Sequence, residues 1–204
     1  MAVMDFVARE FLGRDEAKAL SEPFWSDMRH VWQSAWSSWH NVGEDERARL
    51  LETPTARPGA LNAFAQSFAR EMFRGRESEG IVECEIIPNV FAFYVHEKIL
   101  LRFNALGPGY LVRAVEANEF KRRYFKQLPI RGIINSANRM TVGYRVNEAK
   151  TDLEEIAISL QYGPDLIYYF SIDDAQSMQL PSGSQAPTPK PPVASNQIRH
   201  GRPR

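Results

Sequence analysis

The spacing of apolar residues changes at Ile81, and this change limits the folds that the chain can adopt. Before Ile81, large apolar side chains recur at intervals of three and four residues, the period of a helix with one buried face. From Ile81 onwards, short runs of β-branched and aromatic residues are separated by turn residues. Helices followed by strands predict an α+β fold, in which N-terminal helices pack on a mostly antiparallel sheet.

Helices are predicted in the first part of the chain over residues 2–12, from Ser21 onwards, and over 60–74. The second of them begins with Ser21, Glu22 and Pro23, a combination typical of a helix start. The charged stretch over 44–49 leads into a predicted loop that two prolines mark.

All the tryptophans fall on one face of the helix predicted after Ser21: Trp25, Trp32, Trp36 and Trp39. Their spacing favours a helix that is docked on a hydrophobic core. The alternative is an exposed face that binds a protein partner, because aromatic side chains anchor many protein interfaces.

Six strands are predicted after residue 80. They span Ile81–Ile87, Val90–Val95, Ile99–Phe103, Met140–Val146, Glu155–Tyr162 and Leu166–Ile172. A tight turn, Gly163-Pro164-Asp165, joins the last two. Between the third and fourth strands, a polar helix is predicted over 116–128, and Pro129 ends it.

The predicted polar helix carries the segment most suggestive of binding. Phe120, Tyr124 and Leu128 recur every four residues and would face the body of the protein. The candidate contact residues, which would then point outward or along the flanks, are Lys121, Arg122, Arg123, Lys126 and Arg131. Three interpretations are open: a solvated helix whose cations meet nearby carboxylates, a nucleic-acid-binding surface, or a surface for an acidic protein partner.

The chain divides into a helical part over 1–78 and a strand-rich part over 79–174, which we expect to form one domain. Residues 175–204 contain six of the 13 prolines and few large apolar side chains, so a disordered tail is predicted. No acid follows Asp174, so the tail is basic, whereas residues 1–174 hold 21 bases and 25 acids. An acidic body disfavours non-specific nucleic-acid binding by the whole surface.

The usual catalytic signatures are absent from the sequence. The single cysteine, Cys84, excludes an intramolecular disulfide and a cysteine-built zinc site. No histidine pair has the spacing of metal ligands, and no glycine-rich phosphate-binding loop or nucleophile elbow occurs. We therefore expect no cofactor and no metal, and an interaction protein rather than an enzyme.

A metal-dependent nuclease or toxin with a cryptic site is the enzymatic alternative. Glu83 and Glu85 project from one face of a predicted strand, and Glu148 and Lys150 have an acid-x-lysine spacing. His96, in the turn after the second strand, is the histidine best placed for acid–base chemistry, although a lone turn histidine is more often ordinary surface.

No apolar stretch approaches the roughly 18–20 residues of a membrane span. The first residues mix charged with apolar side chains, which is not the pattern of a signal-peptide core. A cytoplasmic protein without a membrane partner is therefore expected.

The segments Phe91–Val95, Leu100–Phe103 and Val142–Asn147 resemble a pattern in uncharacterised bacterial proteins of prophages and other mobile elements. Those proteins are thought to be encoded beside helix-turn-helix regulators or small metallopeptidases. The resemblance transfers no catalytic residue. It implies a regulatory protein that depends on a protein partner, as one component of a toxin–antitoxin or phage-related module.

Overall fold

The computed structural model describes residues 11–51, 53, 56–88, 90–112 and 118–173. Most of the helix predicted over 2–12 and the tail predicted over 175–204 lie outside these residues. Among the helices that are described, none combines the length and the apolar character needed to cross a bilayer.

Five α-helices are described: α1 (Arg14–Ser21), α2 (Trp25–His40), α3 (Glu44–Leu51), α4 (Ala56–Phe73) and α5 (Glu119–Phe125). Three short 3-10 turns accompany them, at Glu22–Phe24, Glu77–Glu79 and Pro108–Tyr110.

The helical part differs from the prediction in two places: α1 was not predicted, and the helix predicted over 60–74 begins earlier, at Ala56. Ser21 is the last residue of α1 and also precedes the 3-10 turn Glu22–Phe24, which has Pro23 in its first positions, as predicted, and leads into α2. Its hydroxyl donates to Ala17 O (2.8 Å) and accepts from Trp25 Nε1 (3.0 Å), which joins α1 to α2.

The prediction of a loop marked by both prolines was wrong for Pro58, which lies in the first turn of α4. The charged stretch before that loop lies in helix α3. Three acids in its first turn, including Glu44, interact favourably with the positive end of the helix dipole.

Six strands form one sheet: β1 (Ile81–Ile87), β2 (Val90–Val95), β3 (Ile99–Phe103), β4 (Asn138–Val146), β5 (Leu153–Tyr162) and β6 (Asp165–Ser171). Their spatial order follows the chain order from β1 to β6. All neighbouring pairs are antiparallel except β3 and β4, which are parallel. A parallel pair needs a crossover connection, and α5 lies within it. The predicted α+β fold with a mostly antiparallel sheet is confirmed.

Helices α2 and α4 cover one side of the sheet, which we call the first face. Side chains alternate between the two faces along each strand, so Phe93, Leu101, Phe103 and Val142 point to this side. They share one hydrophobic core with both helices, in which the ring of Trp32 lies 4.7 Å from that of Tyr144. The helical part and the strands are therefore held together by a common core.

The opposite side of the sheet, the second face, is covered by α5 and by the loops of the crossover. Its apolar contacts include Tyr94, Leu100 and Ala157 from the strands and Tyr124 and Phe125 from α5. The second face also carries buried polar side chains, and these lie on two strands: Arg139 and Thr141 on β4, and Ser159 and Gln161 on β5. The fold thus has three layers, with the sheet in the middle.

Candidate functional site

Helix α5 is fixed to the second face by its aromatic side. Tyr124 is fully buried, and its hydroxyl lies 3.0 Å from Leu100 O and 3.2 Å from Met140 O, so the phenol donates into the gap between β3 and β4. Phe125 is also buried, and Phe120 packs against the same cluster. The predicted inward orientation is confirmed for Phe120 and Tyr124, whereas Leu128, the third residue of that predicted set, lies beyond the C-terminus of α5.

The helix is shorter than the predicted 116–128. It begins after Asn118, whose side chain accepts a hydrogen bond from the backbone N–H of Lys121 (2.8 Å). It ends at Phe125 because Gln127 adopts a left-handed conformation, with φ 53°. The side-chain amide of Gln127 accepts a hydrogen bond from the backbone N–H of Arg139 (3.0 Å) and donates one to its backbone C=O (2.9 Å). It thus pairs with Arg139 as the backbone of a neighbouring strand would. Residues 113–117 are not among those described.

A buried arginine that the sequence analysis did not single out supports the end of α5. Arg139 is only 1% exposed, and its guanidinium donates to Arg123 O (2.9 Å), Leu128 O (2.6 Å) and Asn135 Oδ1 (3.3 Å). A cation near carbonyls at a helix C-terminus is favourable, because those carbonyls carry partial negative charge. Arg139 therefore anchors the loop that follows α5.

Two of the predicted contact cations share one carboxylate on the outer side of α5. Arg122 Nε and Arg123 Nε lie 2.8 and 2.7 Å from the Glu119 carboxylate, and these hydrogen bonds, the one from Arg122 foremost, lower the pKa of Glu119. The side chains of Arg122 and Arg123 are 43% and 47% exposed. One negative charge therefore faces two positive ones, which leaves a net positive surface.

The other three cations of the predicted surface are divided between two places. Lys121 is half-buried on the first turn of α5, and Arg131 is exposed in the following loop. Arg123 reaches toward that loop, because its Nη1 donates to Pro129 O (2.9 Å). Lys126, in contrast, lies along the β5–β6 turn, where its stem passes Gly163. We define the basic surface as Lys121, Arg122, Arg123 and Arg131.

The tryptophans lie inside the protein. Trp25, Trp32, Trp36 and Trp39 are 5%, 0%, 9% and 2% exposed, and all belong to the core between the helices and the first face. Their placement matches the docked-helix interpretation, because so little of each ring is left for a partner to contact.

The residues considered for metal-dependent cleavage are not brought together. Glu83 lies on edge strand β1 and pairs with Arg70 (2.8 Å), whereas Lys150 lies in the turn between β4 and β5. Within the described part of the chain, no group of three His, Cys, Asp or Glu residues is arranged to hold a metal ion.

His96 occupies the predicted turn, but its ring is engaged in packing. The imidazole lies over Gly80 and 6.3 Å from the ring of Phe24. His96 and Glu97 both have positive φ, 49° and 57°, as the central residues of a type I′ turn do, and the turn is closed by Lys98 N–H donating to Val95 O (3.1 Å). The geometry gives the histidine a structural role in holding the β2–β3 turn against the start of β1.

A polar cluster that the sequence analysis missed closes the edge of the second face. The Tyr110 hydroxyl lies 2.8 Å from Glu155 Oε2 and 2.9 Å from Arg145 Nη1, and the Tyr110 ring stacks on Tyr169 at 3.5 Å. Burial, with the hydrogen bond to Glu155, raises the pKa of Tyr110 to about 12. The phenol therefore stays protonated at neutral pH and cannot act there as a base. The cluster clamps the loop carrying Tyr110 to the sheet.

No protein-family model matches this chain, and no curated protein or solved structure matches it significantly. The resemblance to proteins of mobile elements stays a prediction.

Proposed function

We propose that this protein is a non-enzymatic interaction protein that binds an acidic protein partner through the basic surface of α5. A regulatory role within a mobile-element or toxin–antitoxin module is part of the same proposal. Its main support is that Arg122 and Arg123 share a single carboxylate on the exposed side of a helix whose other side is fixed in the sheet.

A fixed helix is a suitable platform for recognition. The buried Tyr124 and the Arg139 contacts both hold the C-terminal half of α5, so little backbone order is lost there when a partner binds. Complementary charge across an interface mainly raises the association rate and selects the partner. Guanidinium groups also pair with carboxylates through two parallel hydrogen bonds, which gives directional recognition of aspartate and glutamate.

An acidic protein fits this surface better than a nucleic acid does. Glu119 lies between the two arginines, and its carboxylate would repel a phosphate backbone. Residues 1–174 also carry more acids than bases, 25 against 21, so the field of the body opposes polyanion binding. A protein partner can place a donor against Glu119 and its own carboxylates against the arginines.

The decisive experiment is an affinity capture with charge-reversal variants. The test variant is Arg122→Glu with Arg123→Glu. The matched control is Arg14→Glu with Arg74→Glu, which changes the net charge equally at exposed sites away from α5. Each protein is immobilised, exposed to an extract of the source cells with and without nuclease, and the bound proteins are identified by mass spectrometry.

We expect a specific protein to bind the native chain and the control, and to bind the test variant about tenfold less or worse, because like charges facing each other cost several kcal/mol. Equal capture by the test variant and the control would refute the basic surface as the contact site. Bound material that disappears with nuclease, and whose binding weakens steeply with salt, would identify nucleic acid as the partner instead.

A further inference from the structure

Arg102 is a second arginine on the second face, and its environment differs from that of every other arginine discussed above. It lies on β3 beneath α5, with its guanidinium 5.4 Å from the centre of the Phe120 ring and 5.1 Å from that of Tyr124. Its Nε is buried and has no hydrogen-bond acceptor. Across the described residues, neither a carboxylate nor a carbonyl engages its guanidinium.

An unpaired arginine in such a place is unusual, because a buried charge is normally paired or fully hydrogen-bonded. Arg145 and Arg76 in this protein have carboxylates, and Arg139 has carbonyl oxygens. The aromatic rings stabilise the cation of Arg102 through its flat faces, but they leave its buried Nε–H without an acceptor. Burial lowers the pKa of the Arg102 guanidinium, which nevertheless stays charged at any physiological pH.

The same row of the sheet holds a second unsatisfied polar atom. Arg102 is directly opposite Thr141 on β4, and Thr141 is directly opposite Ser159 on β5, so the three side chains share the second face. Ser159 is 1% exposed, and its Oγ is buried without a hydrogen-bond partner. Two polar groups without hydrogen-bond partners thus lie in one row with a buried threonine between them, and buried polar groups are normally hydrogen-bonded.

We propose that Arg102, with the hydroxyls of Thr141 and Ser159 beside it, binds the carboxylate of a small-molecule ligand beneath α5. A carboxylate matches the edge of a guanidinium with two parallel hydrogen bonds. A single negative charge balances the single cation, whereas a phosphate dianion would bring an excess charge into a site that also has aromatic walls. Arg102 is half-buried, so a small acid can reach its guanidinium from solvent, whereas Thr141 and Ser159, 2% and 1% exposed, lie deeper in the same row. The proposal does not depend on the basic surface, which lies on the outer side of α5.

The test uses the full chain and follows the arginine Nε–H signals by NMR during titration with sodium acetate and sodium benzoate. Inorganic phosphate at matched ionic strength is the comparison anion. We expect the Arg102 Nε–H signal to shift with saturation on adding either carboxylate, and benzoate to bind more tightly, because its ring can pack on Phe120. The thermal midpoint should rise with carboxylate concentration, as linkage requires.

Variants test whether the binding of carboxylates takes place at Arg102. Arg102→Met should lose carboxylate binding, and Ser159→Ala should weaken it, whereas Arg102→Lys should bind about tenfold to a hundredfold less tightly because the two-pronged geometry is lost. Arg70→Met is the matched control. Arg70 also lies over a ring, that of Phe91 at 3.8 Å, but it already has Glu83 as its carboxylate.

If a variant does not fold, the NMR titration of the native chain alone still tests whether Arg102 binds a carboxylate. An Arg102 Nε–H signal that stays unchanged with acetate and benzoate would overturn the proposal, as would equal shifts in Arg102→Met at the remaining arginines. Saturable binding of phosphate without binding of either carboxylate would overturn the assignment of ligand class. The variant Arg122→Glu with Arg123→Glu should bind carboxylates as the native chain does, which separates this site from the basic surface.

Discussion

Replacing Gly143 with alanine tests how tightly the crossover lies on the second face. Gly143 is in the middle of β4, and the segment 104–106 crosses directly above it. A Cβ atom at this position would lie 2.5 Å from Asn104 O and 2.4 Å from Leu106 Cγ. The segment cannot simply turn away, because its backbone N–H groups donate to Val142 O (3.1 Å) and Tyr144 O (3.2 Å).

The cost follows from these contacts. Ordinary carbon contacts begin about 1 Å further out, so the segment must move, and overpacking of this kind costs about 1–3 kcal/mol. Losing the two backbone hydrogen bonds adds about 0.5–1.5 kcal/mol each. We therefore expect Gly143→Ala to lower the free energy of unfolding by about 2–6 kcal/mol, out of the 5–15 kcal/mol typical of a domain. The midpoint of thermal unfolding should fall by about 4 °C or more.

The assay is urea unfolding followed by tryptophan fluorescence, which reports directly on the core because all the tryptophans lie there. Gly59→Ala is the matched control, since Gly59 lies in α4 with no atom within 4 Å of a built Cβ. The control should stabilise the protein by up to about 1 kcal/mol, because alanine is the better helix former. If Gly143→Ala is as stable as the native chain, the segment 104–106 does not lie where the structure places it.

Two further predictions concern core residues, Trp32 and Tyr144. Trp32→Ala should lower the free energy of unfolding by about 3–5 kcal/mol, because it opens a cavity beside Phe103 and Tyr144; a urea series in which it costs less than 1 kcal/mol would contradict this packing. Burial raises the pKa of Tyr144 from its usual 10.0 to about 12. The contribution of the protonated Tyr144 to stability is therefore complete below pH 10.0 and is lost as the pH rises toward about 12, which thermal unfolding across this range measures. In Tyr144→Phe, the fall of the thermal midpoint with pH over this range should be less steep.

The orientation of α5 was predictable because it depends on spacing along one helix. Phe120 and Tyr124 are four residues apart, and a helical repeat of that kind places both on one side whatever they pack against. The pairing of Arg122 and Arg123 with Glu119 also follows helical spacing, at three and four residues.

The second-face arginines were not predicted, and the reason differs for each. Arg102 interrupts an apolar run on β3, and strand alternation assigns it a face but cannot show that α5 covers that face. Arg139 lies one residue before the predicted start of its strand, where a surface position is the ordinary expectation. Both become notable only when a distant helix covers them, wholly for Arg139 and in part for Arg102, because the cost of burying a charge depends on what surrounds it.

Local sequence determined the elements and their buried sides, since the periods of two and of three to four residues are properties of single strands and helices. Tertiary structure decided which elements meet. The parallel pairing of β3 with β4 places α5 over the second face, brings Arg102, Thr141 and Ser159 into one row, and lays the segment 104–106 on Gly143. These contacts join residues far apart in the chain, and their free energies depend on packing, burial and charge that no local pattern encodes.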